Sequence, residues 1–146
     1  FYLAYIDNDS IPELLIFDGD FHAARVHVYS YVNGKVKYVG DFGEYGAFFY
    51  KEKKGVICST WMNQGVCAST YFEWNGTNLS KTISFRSVES IDYNGDIVYK
   101  YYINDKKVTR SKYESSITPY QKGFKYVDLS YSYEVSDSVM KKKLLY

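Results

Sequence analysis

Three carboxylates crowd the stretch YIDNDSIPELLIF, residues 5–17: Asp7, Asp9 and Glu13. Such spacing suits a hard cation. Calcium takes six to eight oxygens, and alternate residues of a tight loop can turn toward one centre. In loops of the pattern D-x-D-x-D-G-x-x-[DE], side chains at positions one, three, five and nine and the carbonyl at seven supply the ligands. Setting Glu13 at nine places Asp7 at three, Asp9 at five and the Ile11 carbonyl at seven. Tyr5 then occupies position one, where it chelates poorly, and Ser10 replaces the glycine. Asp7, Asp9, Ile11 and Glu13 are therefore the candidate metal ligands, for a weak calcium site with an affinity of about millimolar order at best. The competing reading is conformational. Aspartates accept hydrogen bonds from nearby backbone N–H groups and shape turns without any ion.

Groups for bond-breaking chemistry are scarce. The two histidines are His22 and His27, and His27 sits in an alternating, strand-like run. No G-x-S-x-G elbow, H-E-x-x-H, P-loop or G-x-G-x-x-G occurs. A non-enzymatic reading follows, and no cofactor is required. The two tryptophans are candidate ligand-binding rings: Trp61 in STWMNQG and Trp74 beside Asn75-Gly76 both lie near hairpin ends. The alternative is that both cap the core. Cys58 and Cys67 flank a turn near Asn63–Gly65, offset from one another; two half-buried thiols fit that spacing better than a disulfide, whose Cα atoms must come within about 5.5–6 Å.

The elements that must position these groups are mostly strands. The chain has 146 residues, 20% aromatic, with 18 tyrosines, and fits a single domain spanning 1–146. Strand–Asn-Gly–strand units recur at HVYSYVNGKVKYVG, STYFEWNGTNLSKTI and SIDYNGDIVYKYYI, with Asn-Asp in YKYYINDKKV. Asn-Gly tolerates the positive φ angles that type I′ hairpin turns require. Repetition of this unit predicts a mainly β (α+β) protein, an antiparallel meander with one or two short helices. In the first hairpin a two-residue turn at Asn33-Gly34 pairs Val32 with Lys35, Tyr31 with Val36 and Tyr29 with Tyr38. The face bearing Tyr29, Tyr31, Val36 and Tyr38 is expected to be core or half-buried. ELLIF (13–17) reads as a strand buried on both faces. SKYESSITPY predicts a helix near 111–118, with a capping box at Ser111 and Glu114, Tyr113, Ile117 and Tyr120 on one face, and Pro119 as its stop. FKYVDLSYSYEV (124–135) reads as a strand, and SDSVMKKKLLY as a helix capped at Ser136 with a Met140–Leu144 stripe.

Charge excludes one class of partner. Eighteen basic against 17 acidic residues leave a formal net charge of +1, without the basic excess that nucleic-acid binding needs. No run reaches the roughly 18 apolar residues of a membrane span.

YIDNDSIPELLIFDGD, HVYSYVNGKVKYVG and YYINDKKVTRSKYESSI together resemble a family of secreted or lipid-anchored domains of Gram-positive bacteria. Members carry D-x-D-G-D-G-I-P-E-L, akin to the FG-GAP calcium loops of integrin-type propellers, then an H-V-Y-x-Y-x-N-G-K hairpin and a Y-x-I-N-G-K-x-V segment leading into a short helix. The likeness spans roughly residues 1–40 and 95–120. It implies a location outside the membrane, a calcium-type loop and no particular activity. The chain is accordingly expected to be a piece of a longer secreted protein, extracellular or at the cell surface, that binds a glycan, a peptide or a protein. The alternative is an accessory or catalytic subdomain of a cell-surface hydrolase.

Overall fold

A computed structural model of the chain describes residues 1–128 and 132–144. Two antiparallel sheets account for most of it. The first holds β1 (Tyr2–Ala4), β2 (Glu13–Phe17), β3 (Val26–Val32) and β4 (Lys35–Phe42) in chain order. The second begins with β5 (Phe48–Lys51), β6 (Val56–Asn63), β7 (Val66–Trp74) and β8 (Leu79–Ile91), and continues through β9 (Ile97–Ile103) and β10 (Lys106–Val108). These too are neighbours in chain order, and β11 (Lys125–Tyr126) adds beside β5. The chain is thus a meander twice over. Helix α1 (Arg110–Ile117) runs into a 3-10 turn at Thr118–Tyr120, and α2 (Asp137–Leu144) follows Ser136.

Turn chemistry fixes the registers. Asn33 and Gly34 both have positive φ, 51° and 79°, and the predicted pairs Val32–Lys35, Tyr31–Val36 and Tyr29–Tyr38 are the observed ones. Asn104 and Asp105 turn in the same way, and so do Gln64 and Gly65, which set Asn63 opposite Val66. The other two Asn-Gly turns are wider. Asn75 Oδ1 accepts from the backbone N–H of Thr77 and of Asn78, and Asp92 Oδ1 accepts from those of Asn94 and Asp96. Each side chain stands in for a missing ladder partner and lengthens the loop.

The two sheets pack face to face. Leu15, Val26, Val28 and Phe42 of the first meet Phe48, Tyr50, Ile57 and Trp74 of the second. The opposite face of the second sheet carries Cys58, Tyr71 and Phe85, covered by Tyr113, Ile117, Tyr120 and Phe124 of the α1 region. The predicted helix, its apolar face and its stop at Pro119 are all present. Its cap is not the predicted one: Thr109, rather than Ser111, accepts the backbone N–H of Lys112.

Three further expectations are corrected. The tyrosine face of the first hairpin points outward: Tyr31 is 46% exposed and Val36 72%, whereas Val28 and Ser30 on the other face are buried. Val28 and the small Ser30 fit the narrow space beside Leu15 and Glu13, while the tyrosines keep their hydroxyls in water. β2 is likewise buried on one face only, with Leu14 and Ile16 half-covered outside. Finally, 124–135 is not a strand: Lys125–Tyr126 alone pairs with β5, residues 132–135 are irregular, and 129–131 lie outside the described residues. The side chain of Leu144, at the end of the predicted apolar stripe, also lies outside the description. Among the described residues no helix is long and apolar enough to cross a membrane.

Candidate functional site

The opening loop is shaped by its own aspartates. Asp7 Oδ1 accepts the Asp9 N–H at 3.0 Å, and Asp9 Oδ1 accepts the Ile11 N–H at 2.7 Å. These successive turns bring the chain into β2, where Glu13 points inward. Glu13 is 0% exposed; one oxygen accepts the Ile6 N–H at 2.9 Å and the other the Ser30 hydroxyl at 3.1 Å. Burial holds its carboxyl above the ordinary range, opposed by the hydrogen bond from Ile6 and reinforced by the nearby Asp7 charge.

This arrangement does not fit the calcium loop implied by the resemblance. Glu13 gives both oxygens to the protein interior, Tyr5 replaces the first ligand, and Asp7 and Asp9 each commit one oxygen to a backbone N–H. Among the described residues no group of three or more His, Cys, Asp and Glu side chains is arranged to hold an ion.

The same loop forms one wall of a cleft with a volume of about 890 Å³. Asp7, Asn8, Asp9 and Ile11 line one side; Tyr31, Val32 and Asn33 come from the β3–β4 hairpin. The turn at Lys53, Lys54 and Gly55 and the β7–β8 segment from Glu73 to Thr77 complete it. These segments are tied to one another. The N–H groups of Lys54 and Gly55 donate to the Ile6 carbonyl, and that of Lys53 to the Tyr5 carbonyl. The Trp74 N–H donates to the Gly55 carbonyl at 2.7 Å, and Lys37 reaches the Thr77 carbonyl. Gly55, at φ 63°, leaves no space for a side chain: a Cβ there would lie 2.1 Å from the Trp74 carbonyl oxygen. A Cβ on Gly76 would lie 3.1 Å from Asp7 Oδ2, so the opening loop and the β7–β8 turn also approach closely.

Two buried groups in this cleft have unused hydrogen-bonding capacity. Asp7 is only 7% exposed, and its Oδ2 makes no hydrogen bond to any described residue. Trp74 is 2% exposed and lines the cleft from the core side; its indole N–H has no partner among the described residues. Lys37 Nζ lies 5.4 Å from the Trp74 ring centre. Of the sequence-predicted site residues, Asp7, Asp9, Ile11 and Trp74 thus meet in one cleft, while Glu13 belongs to the core. Trp61 lies elsewhere. It sits five residues further along β6 from the cleft end, roughly 16 Å away at the rise of a strand. There it packs edge-on against Tyr45, which in turn meets His22.

Sequence reasoning missed the residues that only pairing brings in: Tyr31 and Asn33, Lys53 and Lys54, Thr77. Their sole signal was membership of turns. It also missed a histidine–carboxylate pair, His27 Nε2 to Asp18 Oδ1 at 2.6 Å, on the outer face of the first sheet. Asp41 accepts from both Arg25 and Tyr38 nearby, and those bonds, with His27, lower the carboxyls of Asp18 and Asp41. None of this network lines the cleft.

The two cysteines differ more than expected. Cys58 is buried and Cys67 exposed, and both are free. Cys58 stands opposite Tyr71 and Cys67 opposite Met62, so the thiols face other partners. Burial pushes the Cys58 thiol up to about 11. No protein-family model, curated protein or solved structure matches the chain.

Proposed function

We propose that the chain is a non-enzymatic, extracellular binding module whose ligand lies in the cleft between the opening loop, the β3–β4 hairpin, the Lys53–Gly55 turn and the β7–β8 turn. The observation that carries this reading is that segments distant in sequence are hydrogen-bonded into one preformed cavity, with a buried carboxylate, Asp7, keeping one oxygen free inside it. At about 890 Å³ the cavity falls within the size range of small-molecule sites, roughly 300–1,000 Å³. The resemblance of residues 1–40 and 95–120 to secreted domains supports the location.

Soaking crystals in a library of small polar fragments tests the reading. Fragments are expected to collect in this cleft in preference to any other surface. Scattered occupancy that leaves the cleft empty overturns the proposal. Parallel assays with ester, peptide and glycoside substrates are expected to show no turnover. Hydrolysis abolished by a single substitution, in the cleft or at His27, would replace the binding module with an enzyme.

A further inference from the structure

Resting on that reading, we propose that the ligand of the cleft is an uncharged carbohydrate, held by hydroxyl hydrogen bonds to the Asp7 and Asp9 acceptors and to Asn and Lys donors, beside the Tyr31 ring. Three properties of the cleft converge on this class.

The first is charge. Asp7, Asp9 and Glu73 line the cleft together with Lys53 and Lys54. A polyanion would bring its charges against the carboxylate of Asp7, a residue only 7% exposed whose Oδ2 lies close to Gly76. A polycation would meet the two lysines. A ligand without net charge avoids both penalties, which grow as water is displaced.

The second is hydrogen-bonding capacity. Asp7 and Asp9 each use Oδ1 on a backbone N–H and keep Oδ2 as an acceptor. Asn75 uses its Oδ1 on two backbone N–H groups and keeps its amide hydrogens. Acceptors and donors therefore line one cavity, with Lys53 and Lys54 among the donors. A hydroxyl both donates and accepts, and a pair of neighbouring hydroxyls can bridge carboxylate and amide at once. Tyr31, 46% exposed, and Ile11, 42% exposed, supply the apolar surface against which the C–H face of a sugar ring can lie.

The third is the lack of a long open strand. A peptide bound by strand addition needs unpaired backbone N–H and C=O groups along a sheet edge. In the cleft wall β7 lies between β6 and β8, and β3 runs past the end of β2 only at Tyr31 and Val32, a two-residue edge too short to seat an added strand. The remaining wall is turns. Recognition must come from side chains and isolated turn amides, which suits a compact polyol better than an extended chain.

The test is a two-dimensional NMR titration of the labelled chain with methyl glycosides of neutral hexoses and N-acetylhexosamines and with short neutral oligosaccharides. Heparin oligosaccharides and an unbiased peptide mixture serve as the competing classes. Neutral sugars are expected to shift the amides of Asn8, Gly55, Gly76 and Thr77 saturably. Asp7→Asn keeps the acceptor for the Asp9 N–H but replaces the free oxygen, and is expected to weaken binding about tenfold or more. Tyr31→Ala, at an exposed position, is expected to weaken it as well with the unfolding midpoint unchanged, which separates binding from folding. The proposal fails if neutral sugars move none of these amides up to their solubility limit, or if both variants bind like the parent. Fragments in the cleft, but peptides or heparin in place of sugars, would sink the carbohydrate and leave the binding module standing. An empty cleft in both experiments would remove both.

Discussion

The second sheet has two buried faces, and they are closed in different ways. Toward the first sheet it presents Phe48, Tyr50, Ile57 and Trp74 to Leu15, Val26 and Val28, strand against strand. Toward the helix it presents Cys58, Tyr71 and Phe85 to Tyr113, Ile117, Tyr120 and Phe124. The rings there meet edge-on or tilted, such as Phe85–Tyr113 at 5.7 Å and 89° and Tyr71–Tyr120 at 5.1 Å. The first layer joins segments from both ends of the meander, so it cannot open without separating the sheets. The second is covered by one eight-residue helix and its following turn, no residue of which is fully buried. Helices this short depend on packing for their stability, so the helix layer should open locally while the inter-sheet layer opens only when the whole chain unfolds. The cleft takes its walls from the inter-sheet side, through Trp74 and Asp7. This explains how a site made of turns can still be rigid.

Truncation in the inter-sheet layer breaks the comparison most directly. Phe48→Ala is expected to cost about 3–5 kcal/mol, because the ring is 2% exposed and wedged against Phe42 and Tyr50. Ile117→Ala, half-buried on α1, should cost roughly 1–2 kcal/mol. Urea unfolding of both variants measures this. Equal losses would mean that the two layers form a single cooperative unit.

Much of this architecture was legible in the sequence, and the failures share a cause. Asn33-Gly34 dictated a register that proved correct at each predicted pair, because turn geometry is local. The α1 position was legible for the same reason, from Pro119 and the Tyr113–Ile117–Tyr120 stripe. Which face of the tyrosine hairpin is buried depends on what lies opposite, and alternation cannot reveal that. Glu13 misled for the same reason. Its spacing from Asp7 and Asp9 matches a ligand set, but the Ser30 hydroxyl and the Ile6 N–H that it binds are brought to it by β3 and the chain after β1. The cleft was half legible: Asp7, Asp9, Ile11 and Trp74 carry recognisable chemistry, whereas Lys53, Lys54 and Tyr31 acquire a role only through pairing.

Glu13 sharpens the comparison by about 1–3 kcal/mol, since it is the charged group inside the stronger layer. Glu13→Ala should cost that much by leaving the buried Ile6 N–H without an acceptor. Glu13→Gln should cost far less, because its oxygen can still accept from Ile6 and its amide can donate to the Ser30 oxygen. The pH dependence separates charge from shape. The folded-state value of Glu13 is raised from 4.5, so the folded chain holds this proton more tightly than the unfolded one. Stability from that source is present below 4.5 and declines as pH rises through the folded value. Asp18 and Asp41 act oppositely: their values are lowered from 3.8, and their contribution declines as pH falls below it. Denaturation across a pH series should show both limbs in the native chain. Glu13→Gln should flatten the upper limb alone; an unchanged upper limb would mean that Glu13 is not its source.

The smallest effect concerns the start of α1 and uses Cys58 as its reporter. Cys58 lies beneath the helix layer, buried and with its thiol pushed up to about 11, so a maleimide should reach it only when that layer opens. Cys67, being exposed, would react first and must be replaced by serine. Thr109 caps α1 through the Lys112 N–H, and Thr109→Ala should weaken the helix by about 1 kcal/mol. If opening is local, that loss raises the open population, and hence the labelling rate of Cys58, about fivefold while the global unfolding midpoint hardly moves. Ser111→Ala, at the position that capping-box spacing singles out, removes no cap and should leave the rate unchanged. A rate that tracks only the global midpoint would show that the helix layer opens with the sheets, and the distinction between the two faces would fall.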